Sequence, residues 1–90
     1  MDWTWDADKA QTNLRKHSVS FEAAVLVFDD PMLLTSPDPH ADDDRWRTIG
    51  RVGLGTLFVV HTIFDAGGGR IISARRATPS ERKRYADGYA

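Results

Sequence analysis

The chain has no cysteine among its 90 residues. That rules out a disulfide staple and a thiolate metal site, and it permits a reducing compartment. Long apolar runs are missing as well. The longest, Ala23–Phe28 and Leu57–Val60, fall far short of the roughly 20 residues a membrane-spanning helix needs, so no membrane contact is expected. The opening residues, Met1-Asp2-Trp3-Thr4-Trp5-Asp6, have no basic region ahead of an apolar core. No signal peptide is expected there, and the expected location is cytoplasmic. There is no internal repeat and no low-complexity tract. Histidine is sparse: His17, His40 and His61 are scattered without ligand spacing, so neither zinc nor another cofactor is expected.

What is present fits one soluble globular domain spanning residues 1–90, with 41% hydrophobic and 28% charged residues. A domain this small buries only roughly 60–65% of its unfolded surface, so it gains from a partner. The net charge of −1 hides an asymmetry. Residues 1–44 carry three cations against ten carboxylates, a net of −7, and residues 45–90 carry nine cations against three, a net of +6. Such a dipolar chain can hold an anionic ligand on one side without being basic overall. The densest positive stretch is Arg70-Ile71-Ile72-Ser73-Ala74-Arg75-Arg76, followed by Arg82, Lys83 and Arg84. Guanidiniums fixed on a strand beside a basic helix suit an anionic backbone such as RNA.

Local patterns give the element order. Asp6 is a good N-cap, Asp8 suits a first turn, Trp5 is placed to staple onto Ala10, and Ala7, Ala10 and Leu14 form a narrow apolar stripe. This first helix ends at Lys16-His17. A second begins at Ser20, with Val19 placed to staple onto Ala24; Phe21, Ala24, Val25 and Phe28 mark its buried face, and Pro31 stops it. Met32–Thr35 reads as a short edge strand and Ser36–Asp44 as a loop. Strands follow at Arg45–Val52, Leu57–Phe64 and Arg70–Arg76, joined by Gly53-Leu54-Gly55 and by Asp65–Gly69. Leu57–Phe64 has apolar residues on both faces, as a central strand would. Thr78, Pro79 and Glu81 fit the N-cap, N1 and N3 positions of a capping box. The expected fold is α+β: two N-terminal helices, a three- to four-stranded antiparallel sheet and a C-terminal helix.

In order along the chain stand Trp5-Asp6, Lys9-Ala10, Asn13-Leu14-Arg15-Lys16-His17, Val19–Ala23, Val27-Phe28-Asp29-Asp30-Pro31, His40, Arg45-Trp46, Ile49-Gly50, Val59-Val60 and Arg70–Arg75. This ordered set resembles the BrnT-type toxins of bacterial type II toxin–antitoxin pairs over nearly the whole chain. The resemblance implies a RelE-like ribonuclease fold and RNA cleavage that blocks translation. It also implies a hetero-oligomer with a BrnA-like ribbon-helix-helix antitoxin, through which the pair would contact operator DNA and repress its operon. Two positions depart from the family pattern. Ser18 stands where glycine commonly follows the first helix, and Thr62-Ile63-Phe64 stands where Thr-Glu-Arg is frequent.

Metal-free cleavage by 2′-hydroxyl attack needs a base, a proton donor and positive charge on the phosphorane. Arg70 and Arg75 match family positions, and their spacing of five puts them on opposite faces of a flat strand unless a bulge intervenes. Arg75 is the candidate transition-state arginine. Arg70, with Arg76, Arg82, Lys83 and Arg84, is expected to bind RNA, although Arg70 is also placed to pair with Asp42–Asp44. Tyr85 either donates a proton or stacks on a base, or packs its helix onto the sheet. His61 is an acid/base candidate or a core-edge residue. Asp65 either replaces the missing glutamate or is a turn former. His40 is expected only to brace its loop, and Trp3, Trp5 and Trp46 to serve the core or a partner. A partner-binding module with little catalysis is the alternative reading; direct DNA binding ranks last, since no helix-turn-helix or zinc pattern is visible.

Overall fold

The computed structural model describes residues 2–39 and 44–88. His40, Asp42 and Asp43, to which the sequence assigns a bracing and a pairing role, lie outside them. Among the described residues no helix is long and apolar enough to cross a membrane.

Strand β1 (Trp3–Thr4) leads into helix α1 (Ala7–His17), whose Asp6 cap accepts from the Lys9 amide at 3.0 Å. The helix closes through Ser18 at φ 57° and ψ 28°, with its amide on the Leu14 carbonyl. A left-handed residue other than glycine costs on the order of 1 kcal/mol, which α1 tolerates. Helix α2 (Phe21–Val25) starts at the Ser20 cap as expected, but it tightens into a 3-10 turn over Leu26–Asp29 rather than running on as α-helix. Asp30 then turns extended (φ −76°, ψ 117°), as a residue before proline should.

Strands β2 (Leu34–Pro37), β3 (Trp46–Val52), β4 (Gly55–His61) and β5 (Gly69–Arg76) complete the sheet, and α3 (Pro79–Asp87) follows behind the Thr78–Glu81 capping box. The strand order is β1-β5-β4-β3-β2, so β4 is central, as its two apolar faces require. Three expectations need correction. The sheet has five strands, and β1 pairs with β5 in parallel. The edge strand lies at Leu34–Pro37, because Pro31 and Met32 form the turn after the 3-10 segment. Regular pairing on β4 ends at His61 instead of Phe64.

Helices α1 and α2 pack on one face of the sheet, over a core of Val19, Phe21, Ala24, Val27, Leu57, Val59, Ile71 and Ala74. Gly50 lets the 3-10 segment approach β3: a Cβ there would stand 2.8 Å from the Val27 Cβ. Trp3 stacks on Phe28 at 3.8 Å between centroids, which anchors β1, and Trp5 meets Phe21 edge-on. These two indoles serve packing.

The apolar stripe expected on α1 is replaced by a polar contact. Leu14 is half exposed, while Asn13 is buried. Its amide nitrogen donates to the Ala74 carbonyl (2.8 Å) and the Val19 carbonyl (2.9 Å), and its oxygen accepts from the Ala74 amide (3.1 Å). Asn13 thereby pairs with β5 where β1 no longer does, and it ties in the α1–α2 junction. Asn13→Ala should strand these three groups and cost about 3 kcal/mol or more, at ~1–3 kcal/mol for each buried group left unsatisfied. The urea midpoint should fall and the Ala74 amide should exchange faster; an unchanged midpoint would refute the role.

Candidate functional site

Register builds a second face of the sheet. Val60 pairs with Ser73, but His61 pairs with Ile71, so Ile72 has no partner on β4 and forms a bulge. Because of it, Ile71 and Ala74 both point into the core, at 1% and 0% exposure. The residues flanking them, Arg70 and Arg75, therefore turn to the opposite face together. The bulge that could reunite them is present.

Across that face runs a row formed by Ser36, Arg47, Val60 and Ser73. The adjacent row is Leu34, Ile49, Phe58 and Arg75. Ile49 and Phe58 are buried, and α3 packs on β3. The Ser36–Ser73 row is only half buried. Arg47 places its Nε–H 3.3 Å from the Ser36 hydroxyl, and Arg70 is exposed with no partner for its guanidinium among the described residues. Arg47 was not singled out from sequence. Its signal was the β3 alternation, which opposes it to buried Thr48, but the partner strands that give this meaning are set by register.

Arg75 lies 4.2 Å above the Phe58 ring and grips Glu81 with two bonds of 2.7 and 2.9 Å. Its NH1 group also reaches the Arg76 carbonyl at 3.2 Å. The Nε–H and the outer Nη2 hydrogen, which form the other fork of the guanidinium, have no partner among the described residues. Burial opposes the charge on Glu81, but Arg75 and the Thr78 amide outweigh it and hold the carboxyl below the usual carboxylate range. Hydrogen bonding to Glu81 in turn outweighs burial at Arg75 and raises its pKa. The arginine is a fixed, permanently charged fork.

The other candidates lie elsewhere. Tyr85 donates to Asp30 Oδ2 at 2.6 Å, which raises the phenol's pKa. The same carboxylate oxygen accepts from the Arg51 amide (2.8 Å), and its Oδ1 accepts from Met32 (2.9 Å). Burial works against the Asp30 charge, yet Tyr85 and the two amides prevail and lower its pKa. Tyr85 is thus the pin that holds α3 to β3, the packing role weighed for it from sequence. Asp65 sits exposed at the tip of the β4–β5 turn, with no side-chain partner among the described residues. Arg76 faces the helix side and lines a groove with Leu14, Ala23, Leu54 and Leu57. Arg82 donates to the Ala77 carbonyl at 3.0 Å, Lys83 pairs with Asp87 at 2.7 Å, and the Arg84 Nε is buried without a partner among the described residues. Arg76 thus lies on the face opposite Arg70 and Arg75, and Arg82 and Lys83 are engaged by Ala77 and Asp87.

His61 corrects an expectation. It is 1% exposed, enclosed by Trp3 and Phe28, and both ring nitrogens are engaged. A carbonyl can only accept, so the 2.8 Å contact with Thr62 O places the proton on Nδ1. Nε2 then accepts from the Thr48 hydroxyl at 2.7 Å. No lone pair or proton is left for a substrate.

Fold and open face together define a small α+β domain with one cationic sheet surface. The family model described as "Ribonuclease toxin, BrnT, of type II toxin-antitoxin system" matches residues 5–81, and the chain belongs to that family. It is similar to the crystal structure of the Brucella abortus ribonuclease toxin BrnT, with a TM-score of 0.70 and 27% identity over 87% of this chain and 97% of that one. No curated protein sequence matches it. Membership of a type II toxin family implies an antitoxin partner.

Burial lowers the pKa of His61, against the opposing bond to Thr62. The unfolded chain therefore takes up this proton more readily, from about pH 6.5 downward. The stabilisation is complete above that value and is lost as pH falls toward the folded pKa. Thermal melts should show stability falling below pH 6.5 and a flatter profile for His61→Gln. Equal slopes for the two proteins would show that His61 does not set this dependence.

Proposed function

We propose that the chain is a metal-independent ribonuclease toxin that binds RNA across the open sheet face and inhibits translation, and that a BrnA-like ribbon-helix-helix antitoxin neutralises it. In this reading, contact with operator DNA is indirect, through the antitoxin. The observation that carries the proposal is the co-facial pair Arg70 and Arg75, reunited by the bulge at Ile72. Arg70 takes a phosphate at the exposed end of the strand, with Arg47 across the face. Arg75 offers its unpaired fork to the phosphorane, while Glu81 and Phe58 fix its orientation beforehand. Preorganised charge of this kind needs no rearrangement as the reaction proceeds.

One observation favours the second reading, a partner-binding module with little catalysis: Glu81 already occupies the end of the Arg75 guanidinium. Expression in bacterial cells separates the two, because a toxin arrests growth and an inert module does not. Arg75→Ala should relieve the arrest, since loss of one transition-state donor costs ~10²–10³ in rate. Glu81→Gln loosens α3 but leaves the guanidinium, so it controls for folding. Full growth arrest by folded Arg75→Ala protein would overturn the assignment.

The proposal also sets a salt dependence. Arg47→Ala with Arg70→Ala should lower the log–log salt slope of single-stranded RNA binding by up to about 1.4, at ~0.7 per phosphate contact. Lys83→Ala should leave it unchanged, because Lys83 is already paired with Asp87. The reverse pattern in filter binding would move the RNA from the sheet face to α3.

A further inference from the structure

Beyond the end of regular pairing on β4, the hairpin hydrogen bonds continue in steps of two. Thr62 donates its amide to the Arg70 carbonyl at 2.9 Å, and Phe64 donates its amide to the Gly68 carbonyl at 2.9 Å. Gly67 closes the turn on the Phe64 carbonyl at 3.0 Å. These bonds set Thr62 opposite Arg70 and Phe64 opposite Gly68, which brings Phe64 to the same corner of the sheet as Arg70. A second bond, from the Arg70 amide to the Thr62 hydroxyl at 2.9 Å, holds this corner together.

Phe64 is 41% exposed, and it is the only exposed aromatic side chain among the described residues. Every other aromatic there is buried or half buried. The Phe64 ring joins none of the aromatic pairs and has no place in the core cluster. A phenylalanine left 41% exposed forgoes part of the burial that stabilises a core aromatic. An exposed phenyl at the same corner of the hairpin as a guanidinium with no partner among the described residues matches the two needs of a single-stranded nucleotide: a flat surface for the base and a cation for its phosphate. A duplex keeps its bases stacked inside and cannot use the ring.

We infer that Phe64 is a base-stacking platform, which with Arg70 forms a subsite for one unpaired nucleotide of a single-stranded RNA. The inference rests on the proposed RNA face and narrows its ligand to RNA with an extruded or unstacked base. The subsite lies at the β4–β5 corner, beyond the Ser36–Ser73 row, so it would position the strand rather than take part in bond cleavage.

The test uses the full chain and a short single-stranded RNA that carries 2-aminopurine and is 2′-O-methylated throughout, so that binding proceeds without cleavage. Wild type and Phe64→Trp should quench the 2-aminopurine emission on binding. Phe64→Leu, which keeps an apolar side chain without a ring, should bind about tenfold more weakly and lose the quench. Binding of a matched duplex RNA should be the same for all three. Circular dichroism melts should show Phe64→Leu as stable as wild type. If Phe64→Leu binds and quenches like wild type while Arg70→Ala binds weakly, the platform is wrong and the RNA face survives. If Arg70→Ala is also without effect, the RNA face fails and the inference falls with it. If Phe64→Leu leaves the RNA signals intact but loosens a co-expressed antitoxin, the ring is a protein contact and the inference is overturned.

Discussion

Asn13 holds the first half of the chain to the second. Its three hydrogen bonds satisfy both backbone groups of Ala74 and the Val19 carbonyl. The need arises from β1, which pairs with β5 only at Gly69 and Arg70 and leaves the rest of that edge uncovered. A buried strand edge without partners is costly, and a primary amide is the side chain that can imitate a neighbouring strand by donating and accepting at once. Asn13 also fixes which way β5 faces. With Ala74 held inward by Asn13 and Ile71 inward by the core, the extra residue Ile72 must be absorbed between them, and Arg70 and Arg75 must emerge on the same side. The geometry of the cationic face therefore depends on a residue of the opposite layer.

Helix α3 is fastened with similar economy. Its sheet-facing side chains Glu81 and Tyr85 are four apart and so share one helix face. Each reaches a group already committed to another purpose: Glu81 grips Arg75, and Tyr85 reaches the carboxylate that also caps the backbone of Met32 and Arg51. Glu81 additionally closes the capping box with Thr78. One carboxylate thus starts the helix, docks it and sets the rotamer of the arginine at the centre of the open face. The cost is that the same carboxylate screens part of that arginine's charge. Whichever function the face performs, it must use the fork of Arg75 that Glu81 leaves open.

The sequence made local features legible and non-local ones obscure. The caps at Asp6, Ser20 and Thr78, the stop at Pro31 and the central character of β4 follow from side chains within a few residues of one another, and each is found in place. Two-residue β1 carries no alternation, so nothing local distinguishes it from a loop; the Trp3–Phe28 stack that secures it spans the chain. A helical stripe of Ala7, Ala10 and Leu14 looked apolar, whereas the buried anchor is the neighbouring Asn13, because its partners lie on β5. The same limit applies to the site. Arg70 and Arg75 were visible as residues, but their shared face depends on a bulge defined by pairing with β4. His61 resembled an acid/base group until Thr48, from a different strand, was seen to use its second nitrogen.

The charge distribution limits how such a face can act. With a net charge of −1, the whole molecule exerts little long-range attraction on a polyanion, and at physiological salt each exposed cation is screened within about 8 Å. Several cations of the second half are already committed within the fold: Arg75 to Glu81, Lys83 to Asp87, and Arg82 to a backbone carbonyl. Among the described residues Arg70 has no side-chain partner, and Arg47 is held only by a serine hydroxyl. Two or three guanidiniums set in a half-apolar surface make a weak electrostatic magnet but a well-oriented contact. Recognition by this face must consequently come from close fit, in which fixed forks meet individual phosphates and the exposed apolar surface between them adds selectivity that charge alone cannot supply.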